Sequence, residues 1–193
     1  MPLAVALFVF ACGGDDKDTP SASPTPAGPT TPSVITGPSG SGRPADSTYV
    51  FSIDEVGLGA NGYVWLTNFS EVPASLQGLY LCQPPDCFAL PDQEVAAGDS
   101  VAIAASAETD HPGVVATWSD LALSPTDGEL GVYVSEDVGN AESVRSYFQW
   151  GSDPHEGTEA AIAAGFWVTG YAPTSDNATR LYQNEGGLWL FEE

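Results

Sequence analysis

From Thr48 to the end of the chain, short apolar runs rich in Val, Ile, Leu and aromatic residues alternate with clusters of Gly, Pro, Asn and Asp. Runs of this length, closed by turn-forming residues, read as strands. The pattern predicts strands at Tyr49–Val56, Tyr63–Phe69, Gln77–Cys82, Cys87–Leu90, Ser100–Ala105, Val115–Trp118, Leu130–Ser135, Val144–Trp150, Phe166–Tyr171 and Leu188–Phe191. Many short strands at regular spacing predict an all-β fold, a sandwich or a barrel. One helical turn is expected, at Thr158–Ala164 ("TEAAIAA"), with Thr158 as its cap and Gly165 ending it. There is no internal repeat of the length that marks a solenoid or propeller.

Within the second predicted strand, "YVWLTNF", a period of two separates the side chains. Val64, Leu66 and Asn68 share one face; Tyr63, Trp65, Thr67 and Phe69 share the other. With the Val64/Leu66 side inward, Tyr63, Trp65 and Phe69 form an aromatic ladder on the outer face. Such a ladder either stacks on sugar rings or a partner's surface, or lies beneath a second layer, for which the C-terminal "GGLWLF" is the candidate. Trp150, Trp167 and Trp189 stand in mainly apolar runs and read as core.

Ahead of this region the pattern is different. Leu3–Ala11 is uncharged, and Cys12 follows it. The run is too short to span a bilayer, which takes about 20 residues, and suits the apolar part of an export signal. "VFAC" resembles the lipobox of bacterial lipoproteins, in which the residue before the cysteine is small and the cysteine becomes the lipidated first residue. The resemblance makes Cys12 the lipidation site and residues 1–12 a lipoprotein signal peptide. It departs from the pattern in having no Lys or Arg before the apolar run and in the bulk of Phe10. Of the 35 residues from Gly13 to Ser47, 24 are Gly, Pro, Ser or Thr. They have too little apolar surface to offset their ordering entropy and read as a disordered linker. Such a linker spans on the order of 30 Å as a coil and roughly 100 Å fully extended. The domain is then 48–193.

Charge narrows the choice of partners. The chain carries a formal −22, and from Thr48 onward 22 acidic residues face two arginines, Arg145 and Arg180. Such a surface repels phosphate, so nucleic acid is excluded as a partner and anionic headgroups are disfavoured. The membrane is reached through the lipid anchor instead.

Cys82 and Cys87 bracket "QPPD", with a strand ending at the first and another starting at the second. Cysteines facing each other across a hairpin meet disulfide geometry, and export favours oxidation. The pair is expected to be a structural disulfide. Two further ligands for zinc are missing, since only two distant histidines accompany it.

The stretch "FSIDEVGLGANGYVWLTNFSEVPASLQGLYLCQPPDCFALPDQEVAAGDSVAI" resembles the lamin-tail domain, an immunoglobulin-like β-sandwich of nuclear lamins and many secreted bacterial proteins. The resemblance rests on Ile53-Asp54-Glu55-Val56, Val64-Trp65-Leu66-Thr67-Asn68, Leu76-Gln77-Gly78-Leu79-Tyr80-Leu81, Leu90-Pro91 and Ala97-Gly98-Asp99-Ser100-Val101. With "DGELGVYVSEDVGNAESVRSYFQWG" it spans roughly Thr48 to Trp167. Leu66 stands where the family commonly has Glu, and the Cys82–Cys87 hairpin is an addition. The family has no shared catalytic residues, so the resemblance implies a fold and no activity.

No pattern in the residues supplies a chemistry. There is no Gly-x-Ser-x-Gly elbow, and His111 and His155, in the turn sequences "DHPG" and "DPHEG", are expected to be exposed loop residues. The acidic turns "SPTDGE" and "SEDVGN" lack the Asp/Asn alternation of an EF-hand and read as surface turns. Asn68-Phe-Ser70 and Asn177-Ala-Thr179 match a glycosylation sequon that a bacterial lipoprotein is expected to leave unused. No catalytic residue, metal or cofactor is expected. The sequence therefore points to a non-enzymatic binding or adhesion module for a glycan or protein ligand, anchored in the cell envelope, with Gly13 after Cys12 favouring the outer membrane or cell surface. The alternatives are a structural envelope component without a specific ligand and, further off, a secreted hydrolase accessory domain.

Overall fold

The computed structural model describes residues 50–152 and 154–193. The lipidation expected at Cys12, the signal peptide and the linker Gly13–Ser47 lie outside the described residues. The elements in chain order are β1 (Phe51–Gly57), β2 (Tyr63–Asn68), β3 (Ala74–Ser75), β4 (Tyr80–Gln83), β5 (Asp86–Ala89), β6 (Glu94–Val95), β7 (Ser100–Ala104), β8 (Val114–Thr117), β9 (Gly128–Tyr133), β10 (Val144–Trp150), α1 (Thr158–Ala163), β11 (Arg180–Gln183) and β12 (Trp189–Glu192). The fold is an all-β sandwich. One sheet has six strands in the order β12-β11-β1-β2-β7-β8, the other four in the order β10-β9-β4-β5, and β3 pairs with β6 beside them.

The central strands form because each has an alternating or wholly apolar pattern that a sandwich can bury on one face. In β1, Phe51, Ile53 and Val56 point inward; in β2, Val64 and Leu66 do, and both are fully buried. They meet Leu81 of β4, Leu130 and Val132 of β9, and Phe148 and Trp150 of β10 in a single hydrophobic core. β9 and β10 are buried along almost their whole length. Trp189 of β12 stacks on Phe148 with ring centroids 3.6 Å apart. Two bulges meet where the sheets come together. The β1–β2 register shifts between Ile53 and Glu55, the β9–β10 register between Val144 and Ser146, and the Ile53 N–H donates to Ser146 Oγ at 3.1 Å.

The hairpin β4–β5 puts Cys82 directly opposite Cys87, and the two form a disulfide with Cα atoms 4.1 Å apart. Trp118 stacks on Phe88 of the same hairpin, with centroids 5.8 Å apart.

Three expectations about the elements fail here. Phe166–Tyr171 is not a strand; the segment leaves α1 as an irregular chain, and the residue after it, Ala172, meets β10 through an isolated bridge to Trp150. The apolar residues there are side chains dropped into the core from a loop, as with Trp167 against Phe148 and Tyr147. Conversely, Arg180–Gln183 is a strand, lying between β1 and β12. It has only Leu181 buried, and so carried little apolar signal. Its turn is built by Asn184, whose Oδ1 accepts from the N–H groups of Gly186 and Leu188, both at 2.9 Å. Thr158 does not cap α1; Gly157 occupies that position without a side-chain bond, and Thr158 is buried in a polar cluster described below.

Candidate functional site

Hydrogen-bonded register sets the outer face of the six-stranded sheet. One row crosses Leu190, Tyr182, Glu55, Trp65 and Ala102. The next crosses Glu192, Arg180, Gly57, Tyr63 and Ala104. Residues opposite each other in antiparallel strands share a face, so these rows lie side by side. Two aromatic residues of β2 are thus joined by Tyr182 of β11, and one of the two arginines of the acidic domain sits among them.

Gly57 leaves room for the arrangement. A β-carbon there would run into the Tyr63 ring, so the ring lies over the glycine and the Tyr63 hydroxyl donates to Glu55 Oε1. Arg180 Nη1 lies 3.5 Å from the same carboxylate oxygen and Nη2 2.6 Å from Glu192 Oε2, while the guanidinium stands 4.8 Å from the Tyr182 ring centroid. Burial, and then the bond to Glu55, push the Tyr63 phenol well above its usual range, so it stays a donor at neutral pH.

The face is covered in part, though not by the C-terminal strand, which is an edge of the same sheet. β7 and β8 are parallel neighbours joined by the short connection Ala105–Gly113. Parallel strands cannot close by a tight hairpin, so the connection has to pass over one face of the sheet. It takes the outer one. His111 lies on the Tyr63 ring with centroids 3.8 Å apart and 32° between planes, and meets Trp65 edge-on at 4.7 Å and 79°. Ala102 and Ala104, also on the outer face, are fully buried. His111 is therefore half-buried, whereas the turn sequence led us to expect an exposed residue.

The three aromatic residues of the predicted ladder do not act as one. Tyr63 and Trp65 are brought together under His111. Phe69 lies beyond the end of β2, about 13 Å past Trp65 along the chain by strand rise, and is 52 % exposed. The residue between them, Asn68, is fully buried. Its Nδ2 donates to the Val72 and Val95 carbonyls at 2.9 and 3.0 Å, and its Oδ1 accepts from the Ser70 N–H at 2.9 Å. A sequon asparagine so engaged could be glycosylated only by undoing this loop.

A second polar cluster is internal. Glu129 on β9 accepts from the Tyr147 hydroxyl at 2.7 Å and from the Glu156 and Gly157 N–H groups, each at 3.0 Å. Thr158 Oγ1 donates to Gln149 Oε1 at 2.6 Å and accepts from the His155 N–H at 2.8 Å. Gly157 is needed here, since a β-carbon would come within 2.8 Å of the Tyr133 hydroxyl and 3.0 Å of Glu129 Oε2. Burial raises the Tyr133 and Tyr147 phenols far above their ordinary value, with Glu129 adding to the effect. This cluster ties the 155–158 loop to the sandwich.

His155 is largely buried, again unlike the exposed residue expected, and its Nε2 lies 3.5 Å from Asp127 Oδ1, the atom that accepts from the Ser152 hydroxyl. Aspartate, not imidazole, stands between the other two. A serine nucleophile requires the base to hold its proton, so this order cannot activate Ser152. Among the described residues, no three His, Cys, Asp or Glu side chains gather closely enough to hold a metal ion, and no helix is long and apolar enough to cross a membrane.

Sequence reasoning named Tyr63 and Trp65 but missed Glu55, His111, Arg180 and Tyr182. Arg180 was the available signal, being one of only two basic residues in the acidic domain. No protein-family model matches the chain, and no curated protein matches it significantly.

Proposed function

We propose that the protein is a lipid-anchored component of a cell envelope and that its sandwich is a non-enzymatic binding or adhesion module of the lamin-tail type. The observation that carries the binding role is the outer face of the six-stranded sheet, where Tyr63, Trp65 and Tyr182 stand beside the Glu55–Arg180 pair. Aromatic faces supply contact area at small entropic cost, and the charged pair on their rim supplies directional donors and acceptors. Anchorage is supported by the sequence: the uncharged Leu3–Ala11 run, "VFAC", and a linker long enough to hold a domain off a bilayer. The lamin-tail reading is supported by the motifs over Ile53–Val101 and is compatible with a sandwich whose first two strands pair directly.

Two measurements test this. Mass spectrometry of the mature amino terminus from native cells is expected to find an acylated Cys12; an unmodified first methionine would overturn the anchor. Glycan and protein arrays probed with the folded domain are expected to give a binder that is lost in W65A. Binding unaffected by W65A and R180A together would remove this face from the function.

A further inference from the structure

Resting on the binding-module reading, we infer that the Tyr63–Trp65 face is a stacking subsite for an uncharged sugar ring, and that His111 occupies that subsite in the free protein. A flat ring already lies there. The imidazole is tilted 32° to Tyr63 at 3.8 Å and edge-on to Trp65 at 4.7 Å, so a ring in its place touches both aromatic side chains. What holds it is local. Its Nδ1 lies 2.7 Å from the carbonyl of the next residue, Pro112. The connection is tied at its ends, where the Ala105 N–H donates to Gly62 O at 2.9 Å and Gly113 O accepts from the Ala102 N–H at 2.8 Å, and in its middle by the long contact of Thr109 Oγ1 to Gly62 O at 3.5 Å. Such a segment exchanges a self-contact for a ligand contact without disturbing the sheet.

Charge selects the class of sugar. The rim offers two carboxylates, Glu55 and Glu192, to one guanidinium, Arg180, so it presents no unbalanced positive charge to an acidic polysaccharide. From Thr48 onward the chain carries 22 acidic residues against two arginines, which repels an acidic chain at longer range as well. Vicinal hydroxyls on a neutral ring suit a carboxylate and a guanidinium standing side by side.

The test uses the folded domain with two probes, a neutral β-1,4-glucan hexasaccharide and a hexasaccharide of galacturonate, titrated by calorimetry against wild type, H111A and W65A. The neutral probe is expected to bind wild type, to bind H111A about two- to tenfold more tightly, and to lose about tenfold or more in W65A. The acidic probe is expected to bind at least about tenfold more weakly than the neutral one. Equal affinities for wild type and H111A overturn the occupancy by His111 and leave the binding face standing; no binding of the neutral probe by any variant, or tighter binding of the acidic one, overturns the sugar assignment. A second readout needs no ligand. Trp118, Trp150, Trp167 and Trp189 are at most 5 % exposed, so acrylamide-quenchable emission reports Trp65. Quenching is expected to rise in H111A, and an unchanged quenching constant counts against the cap.

Discussion

Replacing Glu129 by alanine removes the acceptor that fastens the 155–158 loop to β9. Three donors lose their partner: the Tyr147 hydroxyl at 2.7 Å and the Glu156 and Gly157 N–H groups at 3.0 Å. The Tyr147 hydroxyl keeps a second acceptor, Gln149 Oε1, also at 2.7 Å, so its loss is partial. Gly157 is buried and its N–H is stranded, whereas Glu156 is exposed and its N–H turns to water. Hydrogen bonds to a charged group contribute roughly 1.5–3 kcal/mol each, and stranded buried donors cost about 1–3 kcal/mol. Allowing for the bond that Tyr147 retains, for rehydration of the Glu156 N–H and for non-additivity, the loss should be about 2–4 kcal/mol. That is a large part of the roughly 5–15 kcal/mol by which domains are stable. Urea unfolding followed by far-UV circular dichroism, at unchanged m, reads it directly. E129Q keeps an amide oxygen but turns an NH₂ toward the N–H donors, and should fall between E129A and wild type. A loss below about 1 kcal/mol in E129A, no larger than in the exposed control E185A, would refute the reasoning.

The Tyr133 hydroxyl beside this cluster is buried and has no hydrogen-bond partner among the described residues, so Y133F should be neutral or stabilising by up to about 1 kcal/mol in the same assay. The double variant C82A/C87A should lose about 2 kcal/mol, the loop-closure entropy of so short a ring; an unchanged urea midpoint would show that the unfolded hairpin is already restricted. R180A should cost about 1 kcal/mol, because its ion pairs with Glu55 and Glu192 are partly exposed and screened by solvent, and a double-mutant cycle with E55Q measures this. Tyr63, Tyr133 and Tyr147 titrate higher in the folded than in the unfolded chain. Their contribution is therefore fully present below about pH 10 and is lost as pH rises above it. Absorbance at 295 nm should show at least three of the seven tyrosines ionising only as the protein unfolds.

Much of the fold was legible because local pattern and final environment agree. The alternation in "YVWLTNF" puts Val64 and Leu66 on one face, which proves to be the buried one, and the turn chemistry between Cys82 and Cys87 favours the hairpin that forms. Where a loop delivers core side chains, as at Phe166 and Trp167, apolar content no longer distinguishes strand from irregular chain. Thr158 looked like a cap because its side chain prefers backbone partners; it found its partners in Gln149 and the His155 N–H instead.

What the sequence determined by itself is therefore the all-β class, the inward face of β2, the disulfide hairpin and the acidic balance, each a consequence of short-range periodicity, turn chemistry or simple counting. Only the tertiary structure decided that β11 sits beside β1, bringing Arg180 and Tyr182 to within reach of Tyr63, residues more than a hundred positions apart. It decided, too, that β8 runs parallel to β7. That choice of direction, made by strand pairing and invisible in any local window, sends the connection across the outer face and lays His111 on Tyr63 and Trp65.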